Sequence, residues 1–390
     1  MTPLNDGVFR VWPRRVTVSA VRLGTCIALE LVVAAGAVGG VWFGVGKVAR
    51  MSGDYFAGGE AIAATATPAS SPSLAIYEPV RLPRAILSPT PKAVVVDNVF
   101  GTPDAELLAP LGITSPIKLK TNHGGTSLSL RLDFENGARA AFKPEQVHPQ
   151  SDPRREIAAH RIDRLLGIGR VPPAKPVTFT VDELLAAAEP SHRTFIAGRL
   201  RDEAIIRGGV IHGELSWWVP EIKLAKLGPH RIDEKAGKLV WTSYLQLGAT
   251  IPDDVRPLVE QIAAIVMFDV LIDNPDRWTG SNTVMSANGQ TLFFMDNTMS
   301  FSNLAFGHQS NLLALRRIQV FPRGLVDRMR ALTPEQISEA LVVPEAAEHR
   351  LSPLLNPSEI RAILVRRDNM LRYIDQLIEQ HGEAAVLALP

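Results

Sequence analysis

The apolar run from Leu23 to Gly46, LGTCIALELVVAAGAVGGVWFGVG, is interrupted by a single charged residue, Glu30. It divides the chain into parts with different physical options. At about 1.5 Å per helical residue such a run is long enough to cross a hydrocarbon core of ~30 Å. It also exceeds the ~7–15 apolar residues usual in a cleaved signal peptide. The run therefore predicts a transmembrane signal anchor over residues 23–46. Glu30 reads as a protonated carboxyl tolerated in an otherwise apolar span, and Cys26 as a small residue packed within it. Arg10, Arg14, Arg15 and Arg22 precede the run against Asp6 alone, whereas Lys47 and Arg50 beyond it are offset by Asp54 and Glu60. That asymmetry keeps a tail of residues 1–22 in the cytosol and sends the remainder across, giving a single-pass type II protein whose body is extracytoplasmic or lumenal.

Past the run the composition shifts to Ala, Ser, Thr and Pro, with Pro68, Pro72, Pro79, Pro83, Pro89 and Pro91. Such a stretch buries too little apolar area to fold, and its prolines extend it, so residues 47–110 are expected to form a stalk. The folded body is expected over 111–387. Lys and Arg number 41 against 40 Asp and Glu, a net charge of +1, which argues against a nucleic-acid binder. One cysteine excludes internal disulfides, Cys-based zinc fingers and iron–sulfur ligation.

Within the body, TSLSLRLDF alternates apolar and polar residues, Glu135-Asn136-Gly137 supplies a turn, and ARAAFKP follows, which reads as a β-hairpin. Asp152 and Pro153 then open a helix as N-cap and first helical residue. A second helix, beginning near Asp254, is apolar almost all round and should be buried. Thr333-Pro334-Glu335-Gln336 is a capping box and Asn356-Pro357-Ser358-Glu359 resembles one, with the last helix ending in a left-handed cap at Gly382. Strands followed by helices predict an α+β, two-lobed body with a small β-rich N-lobe and a mainly helical C-lobe.

Directly after the buried helix comes DNPDRWTGSN, residues 273–282, then a short hairpin, TVMS and TLFFMD, that ends on Asp296. Phosphoryl transfer from ATP needs such parts: a carboxylate to take the acceptor's proton, and an Asn with a second carboxylate to hold a hard divalent cation on the phosphates. Each residue alone is an ordinary turn former. Upstream, Lys143 sits on the second strand of the first hairpin among apolar residues, where an ammonium needs anionic partners. The phosphates of ATP and Glu156, in the first turn of the next helix, would serve. Glu156 alone also suits the helix dipole. Gly124-Gly125-Thr126 ahead of the hairpin could fold backbone amides over phosphates. The order of parts is glycine turn, strand Lys, helix Glu, Asp, Asn, hairpin, Asp. Other chemistries lack their signatures: there is no G-x-S-x-G elbow, no H-E-x-x-H, and His212-Gly213-Glu214 has no P-C-x-x-C to complete a deaminase zinc site.

The stretches GGTSLSLRLDF…ARAAFKP, REIAAHRIDRLLGIGRVPP, DNPDR and FFMDN resemble the four-jointed and Golgi casein-kinase family of secretory-pathway atypical kinases, distantly related to HipA and to phosphatidylinositol kinases. The resemblance covers about Gly124 to Asn303. It implies an atypical protein-kinase-like fold and a membrane-anchored phosphotransferase that uses ATP with Mg²⁺ or Mn²⁺ to modify a protein Ser/Thr or a glycan hydroxyl. Carried over residue by residue, Lys143 contacts phosphates, Glu156 pairs with it, Asp276 is the catalytic carboxylate, and Asp296 and Asn282 are metal ligands. Asn282 lies six residues after Asp276, one more than in ordinary protein kinases. Eukaryotic members are disulfide-rich, so this chain resembles a bacterial-type relative. A pseudokinase that keeps the nucleotide but transfers nothing is the alternative, and the full acidic set argues against it.

Overall fold

The computed structural model describes residues 98–121, 127–279 and 281–390. The span predicted over 23–46, the tail, the stalk as far as residue 97, and Gly124, Gly125 and Thr126 all lie outside the described residues. Among the described residues no helix is long and apolar enough to cross a membrane.

The first part of the body holds α1 (Asp104–Leu108), β1 (Pro116–Thr121), β2 (Leu130–Phe134), β3 (Arg139–Pro144), α2 (Pro153–Leu165) and β4 (Ala174–Thr180). Then come α3 (Val181–Ala186), α4 (Arg193–Glu203), β5 (Ile206–Arg207), β6 (Val210–Trp217), β7 (Ile222–Leu224), β8 (Lys226–Leu227) and β9 (His230–Arg231). The rest is mainly helical: α5 (Lys235–Tyr244), α6 (Arg256–Ile272), the hairpin β10 (Val284–Ser286) and β11 (Leu292–Phe293), α7 (Gln309–Leu315) and α8 (Arg323–Ala331). It closes with α9 (Pro334–Ala340), α10 (Pro344–Glu348), α11 (Pro357–His381) and α12 (Glu383–Val386).

The main sheet has the order β1-β2-β3-β6-β4, with the short β5 also on β6, and every pairing in it is antiparallel. The hairpin predicted from the alternating pattern is β2–β3, with Leu130 opposite Phe142 and Gly137 in its turn at φ +81°. Leu130, Leu132, Phe134, Ala140 and Phe142 are buried along this pair. Because strand side chains alternate, Lys143 leaves from the face opposite Phe142. Gly213 of β6 is what permits β3 and β6 to lie so close. A Cβ there would sit 2.5 Å from the Lys143 carbonyl and 2.8 Å from Pro144 Cα, and so would push the strands apart.

Two cores form. One, around the sheet, includes Leu132, Phe142, Phe179 and Leu215. The other collects Ile157 and Ile162 of α2 with Ile262, Phe268, Phe321 and Ile374 of the helical part. Nearly every side chain of α6 is buried, as its all-round apolar sequence requires. Asp152 caps α2 by accepting from the Arg154 amide, and both Thr333 and Asn356 close capping boxes, with Gln336 and Glu359 respectively. Gly382 takes φ +84° but ψ 146°, so it is not the left-handed cap expected; the chain turns there into α12.

Residues 98–110, expected in the stalk, belong to the folded body. Phe100 stacks on Phe293 and meets Trp217 edge-on. Asp104 Oδ2 lies 2.7 Å from His160 Nε2 and accepts from Arg164 Nε at 2.7 Å. Although burial opposes it, these two partners hold the Asp104 carboxyl below the ordinary carboxylate range. Composition missed this because the fastening comes from contacts with distant residues, including the Val99 amide on the Gly169 carbonyl and Lys175 on the Leu108 carbonyl.

A group held below its usual value contributes stability that is present above the unfolded value, 3.8 for Asp104, and is lost as pH falls through the folded one. Asp104→Asn should therefore destabilise the protein by about 2 kcal/mol at pH 7. The gap from the parent should shrink in urea titrations carried out progressively below pH 4.

Candidate active site

The end of β3, the first turn of α2 and the loop after β11 bring three predicted residues together. Lys143 Nζ donates to Glu156 Oε1 at 2.6 Å and to Asp296 Oδ1 at 2.8 Å. Burial alone would lower the ammonium, but the Asp296 and Glu156 carboxylates outweigh it and hold Lys143 above its ordinary value. The Lys143 charge in turn holds Asp296 low against the effect of burial. Asp296 adopts φ +60°, a left-handed backbone that Asp tolerates better than most side chains, and Thr298 Oγ1 also donates to its Oδ1 at 3.3 Å.

Glu214 is a fourth member that the sequence did not assign. It faces Lys143 across the β3–β6 register and is fully buried, with Oε2 accepting from Ser216 and Oε1 without a partner. Burial, reinforced by the neighbouring Glu156 charge, pushes its carboxyl well above the usual range despite Lys143. Its protonated form is thereby favoured, in contrast to Asp296 beside the same lysine.

The polar loop after α6 is the second half of the site. Asp276 accepts from Asn282 Nδ2 at 2.7 Å and from the Thr279 hydroxyl. The structure thus pairs the two predicted residues across the six-residue separation. Asn274 links this loop to Asp296: its Oδ1 accepts from the Asp276 amide at 3.1 Å and its Nδ2 donates to the Asp296 carbonyl at 3.1 Å. Arg277, fully buried, donates to Asp269 of α6 at 3.2 Å, to Asn297 Oδ1 at 2.7 Å and to the Met295 carbonyl. Asn297 completes the circuit by donating to both oxygens of Glu156, at 2.8 Å from its amide and 3.1 Å from its side chain. Burial pushes Asp269 up to about 6 even beside Arg277. Asn274, Arg277 and Asn297 lie inside DNPDR and FFMDN, but no spacing rule separates them from ordinary turn residues.

A hard divalent cation needs anionic or amide oxygens free of protein donors. Among the described residues no hydrogen bond reaches Asp296 Oδ2 or Asn282 Oδ1, and the Asp296 side chain is 46 % exposed. The donor set suits such a cation. Among the described residues no cluster of three or more His, Cys, Asp and Glu is placed to hold a metal ion.

A profile described as "Golgi casein kinase, C-terminal, Fam20" matches residues 201–386. Over that segment the chain is similar to the Fam20 family. It is 25% identical over 306 residues to glycosaminoglycan xylosylkinase of Homo sapiens, covering 70% of this chain and 74% of that one. It is 24% identical over 305 residues to the extracellular serine/threonine protein kinase FAM20C of Homo sapiens, covering 68% and 52%. A Golgi casein kinase solved with Mn/ADP bound superposes with a TM-score of 0.54 at 17% identity, over 73% of this chain and 78% of that one. The body therefore has the mixed α/β kinase-like fold that the sequence resemblance implied.

The upward displacement of Glu214 is testable. An acid whose folded value is raised costs stability as pH climbs above its unfolded value of 4.5. Glu214→Gln should match the parent near pH 4 and become the more stable of the two as pH rises to 8. By contrast Lys143→Met, which strands buried carboxylates, should cost about 3–5 kcal/mol at pH 7. Chemical denaturation of both variants across this pH range measures each effect.

Proposed function

We propose that this protein transfers the γ-phosphoryl group of ATP to a hydroxyl, preferentially one on a glycan. The observation that carries the reading is the junction of two sites. Lys143 is held between Glu156 and Asp296, and Asn274 ties Asp296 to the loop that carries the Asp276–Asn282 pair. Supporting it, glycosaminoglycan xylosylkinase and FAM20C are named as kinases and a solved relative carries manganese and ADP, although pseudokinase FAM20A matches at similar identity.

In this reading Lys143 compensates phosphate charge, and Glu156 and Asn297 fix its direction. Asp296 and Asn282 would hold Mg²⁺ or Mn²⁺, which when bound neutralises charge on the phosphates. Asp276 accepts the proton of the acceptor hydroxyl as its oxygen attacks the γ-phosphorus and the bond to ADP breaks. Thr279 and Asn282 donate to Asp276 and so orient its carboxylate.

The acceptor preference rests on a cleft of about 350 Å³ beside Pro275, the residue preceding Asp276. Its lining includes Gln150, Arg155, Asn303, His308 and Asn356, with Met299 as an apolar surface. Amides and a few charged donors around one apolar patch match the hydroxyls and ring face of a sugar. Glycosaminoglycan xylosylkinase is among the relatives, which supports the same choice. The apolar run 23–46 and its arginine asymmetry support a single N-terminal anchor with the body beyond the membrane; protease protection in sealed vesicles should leave the body uncut.

Incubated with ATP and Mn²⁺, the full-length protein should phosphorylate a xyloside-terminated oligosaccharide faster than a casein-type protein. Asp276→Asn should lower turnover about 10³-fold or more while keeping the nucleotide-dependent thermal shift, and Asp296→Asn should abolish both turnover and the manganese dependence of that shift. A nucleotide-induced shift with no transfer to either acceptor would support the pseudokinase instead.

A further inference from the structure

Away from the Lys143 cluster, a cleft of about 330 Å³ lies between α7, α11 and the end of α6. Val270, Leu312 and Tyr373 give it an apolar side, whereas Arg316, Arg366 and Arg372 line it with guanidiniums, and no carboxylate lines it. Arg366 is 1% exposed. Its hydrogen bonds go to backbone carbonyls alone: Nε to Leu271 at 3.0 Å, and Nη1 to Ser302 at 3.0 Å and Leu304 at 2.9 Å. Nη2 has no partner, and neither has Nδ2 of Asn369, which also lines the cleft one turn further along α11. A buried guanidinium with an idle N–H group is costly unless an anion meets it. Burial draws Arg366 down to about 10, with only a through-space contribution from Asp273 opposing it.

Two idle donors at positions i and i+3 of one helix want two acceptor oxygens, which a carboxylate provides. The apolar wall beside them wants a side chain of leucine or phenylalanine size. Phe306 at the rim, and Leu304 and Leu313 along the same stretch, are exposed, which extends apolar surface outward from the cleft. We propose that this cleft receives the C-terminal residue of a partner polypeptide, its apolar side chain lying on Leu312 and Tyr373 and its carboxylate on Arg366 and Asn369. Net positive charge without a single lining carboxylate supplies the complementarity. The same guanidinium braces the Leu271 carbonyl, two residues before Asp273, and the segment that follows Asp296. An occupant would therefore stiffen both loops of the active site. The binding claim does not depend on the phosphotransfer reading, because its test uses no nucleotide.

The probe is a fluorescein-labelled Gly-Gly-Ser-Gly-Phe peptide with a free C-terminus, titrated with the full-length protein by fluorescence polarisation. The free acid should bind, and the C-terminally amidated peptide should bind at least about tenfold more weakly. Asn369→Leu and Leu312→Trp should each weaken the free acid by about tenfold without changing the melting temperature. If Leu312→Trp proves unstable, Asn369→Leu decides alone. Equal affinity for acid and amide, unchanged affinity in Asn369→Leu, or no binding up to about 1 mM peptide overturns the proposal. Preference for an internal aspartate peptide with an amidated end would overturn it as well.

Discussion

One buried ammonium organises this molecule. Lys143 leaves the sheet on the side away from its core, and its charge is stable there because Glu156 and Asp296 come to it from a helix and a distant loop. Removing two charges from water costs several kcal/mol each, so the arrangement persists only if the surrounding groups are fixed. Asn297 and Arg277 do the fixing, and they tie the cluster back to Asp269 in the most buried helix of the body. The sheet and the helical part thus meet at a polar joint whose geometry both must satisfy.

The same joint divides the carboxylates by role. Asp296 is partly exposed and held low by Lys143, whereas Glu214, opposite the same lysine, is sealed from water and pushed up by burial. Chemically similar side chains differ because one sits where a cation can reach it and the other does not. Gly213 matters to this division, since its missing side chain lets β6 approach β3 and sets Glu214 level with Lys143.

Much of this was legible in the sequence, for identifiable reasons. The β2–β3 hairpin, the caps of α2, α9 and α11, and the buried α6 follow from period and cap chemistry that act over a few residues. Lys143 was legible because an ammonium among apolar strand residues demands partners; Glu156 was one of those named, whereas Asp296 was expected as a metal ligand and not as a partner of Lys143. What could not be read was anything decided by contact across long separations. Asn274 and Asn297 look like turn residues until their bonds to Asp296 and Glu156 are seen. Glu214 sat in a triplet whose local pattern pointed to zinc chemistry it does not perform. Residues 98–110 were assigned to the stalk with the proline-rich stretch before them, and long-range contacts, among them Asp104 and Phe100 with α2, Phe293 and Trp217, draw them into the body.

The grip on Asp104 has a mechanical implication. His160 and Arg164 hold it, and Glu156 stands at the same four-residue interval along α2, so the three lie in one stripe down a single helix face. Tension applied to the polypeptide upstream would reach that stripe after the contacts of Val99 and Phe100. The load would run along the rigid rod of α2 to the carboxylate that steadies Lys143. A pull from the N-terminal side would thus reach Lys143 through about two turns of helix.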